Sequence, residues 1–159
     1  MVYAPHDPWL AGEKETAAKL QTLTDAFKEI GDPWTAYTPV LTATTTNPNV
    51  GSTGSVVGQW VEANKTIWGH IRITFAGTGV TVGSGNYLVT VPVNVVGTSV
   101  PRAVGSCVFE RGGTHFARTP FFVNANQLGM VDGLGNRLGS TTAWAAGDEI
   151  DIEFMYEAA

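Results

Sequence analysis

Residues Thr66 to Phe75 place Ile67, Gly69, Ile71, Ile73 and Phe75 on one parity and Trp68, His70, Arg72 and Thr74 on the other. A period of two marks a β-strand whose two faces meet different surroundings. A slip of one residue would send every isoleucine to the wrong side. The C-terminus repeats the device, with Ile150, Ile152, Phe154 and Tyr156 alternating with Glu149, Asp151 and Glu153. Strands of this kind need partners, so the pattern commits the chain to a sheet with one buried face.

Composition agrees. The 159 residues include 20 Thr and 19 Gly, and only 14% are charged, against about 25% in an average soluble protein. Hydrophobic residues make up 43%, enough for a sizeable core, and the net charge of −5 is too small to favour disorder. Nine Lys and Arg face fourteen Asp and Glu, so no general basic surface is available for nucleic acid. The expectation is a soluble, mostly β chain whose fold needs no cofactor.

Further strand patterns fill residues 34–147. Ser55–Val61 precedes the alternating strand across Glu62-Ala63-Asn64-Lys65, a hairpin turn. Tyr87–Val93 sets Tyr87, Val89, Val91 and Val93 on one face, with Pro92 demanding an edge or a bulge. Ala103–Glu110 and Thr114–Val123 flank Arg111-Gly112-Gly113, and Gln127–Val131 runs into the turn Asp132-Gly133-Leu134-Gly135-Asn136. About seven to nine strands with such turns predict an antiparallel, jelly-roll-like β-sandwich over residues 34–159.

Residues 1–33 differ. They open with a Pro-interrupted extended segment carrying Tyr3, Trp9 and Leu10, then a helix predicted over Thr16–Ile30 and stopped by Gly31-Asp32-Pro33. Leu20, Leu23, Phe27 and Ile30 step by 3, 4 and 3, the spacing of a helical oligomerisation seam. A helix of about 22 Å is marginal alone in water. It packs either on its own β domain or on copies of itself in a short bundle.

Chemistry is sparse. The N-terminus shows neither the basic nor the apolar region of a secretory signal, so the expectation is a protein made in a cytoplasm. No stretch approaches the roughly 18 apolar residues that span a bilayer. Cys107 is the sole cysteine and sits in an alternating run, as a small apolar strand residue would. His6, His70 and His115 have no nucleophile, G-x-S-x-G elbow or metal-binding spacing beside them. No catalytic, cofactor-binding or metal-binding residue is assigned. The carboxylates Glu149, Asp151 and Glu153, with Glu157 nearby, suit either a calcium site or a solvated strand face. Gly133, Gly135 and Gly139 have the wrong spacing for a phosphate loop. Asn64-Lys65-Thr66 matches the glycosylation sequon, a coincidence in the absence of a signal. Trp68, opposite the isoleucine face, suits sugar stacking or packing against a second sheet or subunit.

Several segments taken in order carry a resemblance. Gly12-Glu13-Lys14-Glu15-Thr16-Ala17-Ala18-Lys19-Leu20 leads to Trp34-Thr35-Ala36-Tyr37-Thr38-Pro39-Val40-Leu41-Thr42. Gly69–Phe75 and Gly85–Val93 follow, and the chain closes on Trp144-Ala145-Ala146-Gly147-Asp148-Glu149-Ile150 and Tyr156-Glu157-Ala158-Ala159. This order resembles virion structural proteins of tailed phages infecting actinobacteria, of the minor tail, fibre or head-decoration type. The resemblance implies a homotrimer with a short helical stalk and a jelly roll similar to tumour-necrosis-factor-like domains. It also implies a virion location, no enzymatic activity and no cofactor. The implied partners are further copies of the chain, other virion proteins (tail or major capsid protein) and a host cell-surface glycan, with no nucleic acid and no membrane. In that setting Leu20, Leu23, Phe27 and Ile30 serve oligomerisation, while Tyr3, Trp9 and Leu10 dock to the particle or belong to a frayed terminus. The alternative function is a stand-alone carbohydrate-binding β-sandwich module.

Overall fold

The structure is a computed structural model that describes residues 17, 18, 20, 21, 34–97, 103–139 and 143–159. Nine strands follow one another in these residues: β1 (Thr35–Tyr37), β2 (Leu41–Ala43), β3 (Ser55–Ala63), β4 (Thr66–Thr74), β5 (Tyr87–Thr90), β6 (Gly105–Arg111), β7 (Thr114–Asn124), β8 (Gln127–Val131) and β9 (Glu149–Glu157). All pairings between them are antiparallel, in the order β1-β3-β4-β9-β6-β7-β8-β5-β2.

Two places explain how so many strands share one core. Residues Thr114–Arg118 of β7 pair with β6, whereas from Thr119 onward β7 pairs with β8. One strand therefore serves two layers. Pro120 sits just past the change, where it gives no N–H to a ladder, and its carbonyl accepts the Val104 N–H at 3.0 Å. The second place is Thr38-Pro39-Val40. These three residues join β1 and β2, the two outermost strands of the order, so the edges lie within about 14 Å of each other. The result is a curled antiparallel sheet, a half-barrel of β-sandwich-like form. The mostly β, antiparallel expectation holds at that level.

The two alternating strands of the sequence are neighbours. Ile67, Gly69, Ile71 and Ile73 of β4 face Tyr156, Phe154, Ile152 and Ile150 of β9. All but Gly69 belong to the buried hydrophobic core. The glycine is required there, because the Phe154 ring occupies the space that a Cβ would need. Trp144 stacks on Phe75 with ring centroids 4.6 Å apart and meets Phe109 edge-on at 5.5 Å. Asp148 is buried, and its carboxylate accepts N–H groups from Gly112 at 3.0 Å and Ala145 at 2.8 Å. Those bonds fix the entry into β9. The Tyr87 hydroxyl donates to the Val82 carbonyl and the Tyr156 hydroxyl to the Val93 carbonyl, both at 2.6 Å. Burial pushes each phenol up to about 12.

Some local expectations change. The β3–β4 turn is tighter than Glu62–Lys65, because Ala63 still pairs with Thr66. Only Asn64 and Lys65 turn, both with positive φ, as a two-residue hairpin requires. β5 ends at Thr90 rather than Val93, since Pro92 has no N–H to continue a ladder. The short β1 and β2 carry no alternation that would have announced them. Ala17, Ala18, Leu20 and Gln21 are helical; the rest of the helix expected over Thr16–Ile30 lies outside the described residues.

Candidate functional site

A strand pair fixes which side chains share a face, so the registers build the outward surface rung by rung. The first rung sets Val61, Trp68 and Met155 side by side. The second holds Gln59, His70, Glu153 and Ser106. Val57, Arg72, Asp151, Val108 and Ala117 form the third. The fourth is polar, with Ser55, Thr74, Glu149, Glu110 and His115. Trp34 joins this surface from the β1 edge, its ring centroid 5.6 Å from that of His70. Trp34, Val57, Trp68, Val108 and Met155 are between 39% and 54% exposed. Large apolar side chains thus collect on one outer face.

The charge on this face is uneven. β9 points Glu149, Asp151, Glu153 and Glu157 outward, and Arg72 is the cation set against them. Arg72 donates from Nε to Asp151 at 2.8 Å and from Nη2 at 3.1 Å, with Glu149 4.0 Å away. The hydrogen bond to Asp151 and the two carboxylates hold the guanidinium above its ordinary value. Glu110 and Glu149 stand directly opposite each other across β6 and β9, an unfavourable like-charge pair. Successive outward positions of a strand lie about 7 Å apart, and the Asp151 carboxylate is already taken by a guanidinium. Among the described residues no group of three or more His, Cys, Asp or Glu is placed to hold a metal ion.

At the β1–β3 edge the face dips. Ala36, Tyr37, Thr38, Val57, Gly58, Gln59 and His70 line a hollow of about 390 Å³. The small Ala36 side chain, beside Gln59 on the outer face, leaves space there, while the Tyr37 ring packs on the inner side where a Gly58 Cβ would go. Val57 supplies an apolar wall, while Gln59, Thr38 and His70 supply polar ones. Burial, with Tyr156 nearby, pushes the Tyr37 phenol above its ordinary value.

The other sequence candidates fall elsewhere. His70 and His115 both stand on the outward face, and His6 lies outside the described residues. Cys107 is on the core side, 1% exposed, and burial pushes its thiol up to about 12. That protonated thiol is not a nucleophile. Leu20 is helical and exposed, whereas Leu23, Phe27, Ile30, Tyr3, Trp9 and Leu10 lie outside the described residues. No described helix is long and apolar enough to cross a membrane. Sequence reasoning singled out Trp68 but missed Val57, Val108 and Met155. The signal for Met155 was present, since it shares the parity of Glu149, Asp151 and Glu153 on a strand whose other face is core.

Comparison of the chain with protein-family models, curated proteins and solved structures gave no match.

Proposed function

We propose that the chain is a non-enzymatic structural protein of a tailed-phage virion, a homotrimer displayed on the particle surface, tail-associated or decorating the head. The observation that carries this is the collection of Trp34, Val57, Trp68, Val108 and Met155 on one outer face. Scattered exposed hydrophobics are ordinary in a monomer, but here five stand on one face, interleaved with the Gln59–His70–Glu153 rung and the Arg72–Asp151 pair, the mixed make-up of a protein contact surface. The resemblance of Trp34–Thr42 and Trp144–Ile150 to virion proteins supports the location. In the fold the first of these segments joins the two sheet edges and the second leads into β9, so both are architectural. On this reading the half-barrel is a jelly roll and the chain reaches the virion after synthesis in the bacterial host. Its native mass is then about 50 kDa, three chains of 16.8 kDa, and purified particles contain it in stoichiometric amount. A monomer in solution, or particles lacking the chain, would contradict the proposal.

A second reading is favoured by the exposure of Trp34 and Trp68 beside Gln59 and His70. An outward sheet face with indole rings and polar neighbours suits a sugar, as in a stand-alone carbohydrate-binding module. It predicts that glycans quench Trp fluorescence, and a flat response across a glycan panel would remove it.

A further inference from the structure

Leu134 is 89% exposed, the most exposed large hydrophobic side chain among the described residues. It sits on a turn held rigid from within. The Asp132 carboxylate accepts the N–H groups of Leu134 at 2.9 Å and Asn136 at 2.8 Å, and the Asn136 side-chain amide at 3.1 Å. The Asp132 N–H also donates to the Asn136 carbonyl at 3.0 Å. These donors, the Asn136 N–H first, hold the Asp132 carboxyl below its usual range. Gly135 takes φ +84. Beyond the turn Arg137 bridges to Val131 and stacks on Phe121, 5.0 Å from the ring centroid. The turn therefore offers a fixed apolar knob with an exposed cation three residues on, within about 10 Å.

We propose that this turn is the plug for the hollow on the outer face of a second copy of the same chain, with Leu134 entering between Val57 and His70 and Arg137 meeting Glu153. The proposal deepens the trimeric reading given above and rests on it. Charge decides the mode of contact. The outer face carries Glu110, Glu149, Asp151, Glu153 and Glu157 against Arg72, so two copies set face to face would oppose carboxylate to carboxylate. A copy that presents the Leu134–Arg137 turn instead brings a cation to Glu153, the cross-strand neighbour of His70 at the border of the hollow. Because turn and hollow are different patches, the contact is heterologous, and a threefold rotation between copies is what closes it into the trimeric ring.

Two variants test it on the full chain. Leu134→Asp touches no core residue, so the fold is retained. The expected result is a chain with an unchanged far-ultraviolet spectrum whose assembly is weakened about 30-fold or more, the loss of one strong contact. In the second variant Leu134→Cys and Val57→Cys are combined; oxidation is expected to link chains into dimers and trimers on a non-reducing gel, with buried Cys107 staying out. If the wild-type chain is a trimer but Leu134→Asp stays trimeric and the cysteine pair links no chains, the proposal is overturned while the trimeric reading stands. If the wild-type chain is a monomer, both fall.

Discussion

The two sides of β4 are built from residues that alternate in sequence, yet they solve different problems. The inner side is finished. Ile67, Ile71 and Ile73 are fully buried against β9, and Gly69 gives its place to the Phe154 ring. The outer side is unfinished. Trp68 lies beside Met155 in the open, and Arg72 and Asp151 satisfy each other while Val57 and Val108 flank them exposed. The contrast teaches that one face carries stability, while the other, on the trimeric reading proposed above, is left for contact.

Substitutions on the two faces sharpen the contrast. Phe154→Ala empties the space over Gly69, and a loss of about 3–5 kcal/mol is expected in urea unfolding. A cost below about 1 kcal/mol would place the core elsewhere. Alkali gives the next effect. Tyr87 and Tyr156 titrate near 10 when unfolded and about 12 when folded. Their stabilising contribution is complete below pH 10 and is lost as pH rises toward 12, because only the unfolded chain releases the protons in that window. Tyr156→Phe narrows the alkaline loss, as thermal melts across pH 9–12 would record. A melting temperature that did not fall over this range would contradict the burial of these phenols.

Smaller effects belong to the outer face. Trp68→Ser and Val57→Ser are expected to change chemical stability of the single chain by about 0.5 kcal/mol or less. Asp151→Asn removes an exposed ion pair and is expected to cost less than about 1 kcal/mol. Cys107 gives a chemical check of the divide. A thiol reagent at pH 8 should leave it unmodified in the native chain and label it on unfolding, whereas fast native labelling would move it to the open side.

The strand faces were legible because period two is a local signal. Ile67 to Phe75 and Ile150 to Tyr156 each declare a buried side without knowing their partner, and they turn out to be partners. The hairpin was legible within Glu62–Lys65, but not that Glu62 and Ala63 stay in the ladder and only Asn64 and Lys65 turn. Curvature was not. Pro39 and Pro120 look like interruptions in sequence, yet each stands where the chain passes between layers, a property of the assembled sheet. β1 and β2 have three residues each, too few for any alternation to register. The outer face was legible only in part. Trp68 showed because it is large, while Val57 and Val108 look like core residues until the register assigns their side. Leu134 was read as part of a turn, and nothing local says that its side chain stands clear of everything.

Sedimentation of the full chain at micromolar concentration, beside a Trp68→Glu/Met155→Glu variant, tests the claim that the outer face is a contact surface. The expected result is about 50 kDa for the wild type and a folded species of about 17 kDa for the variant, from a chain mass of 16.8 kDa. A wild-type monomer, or a variant that keeps the wild-type mass, would contradict it.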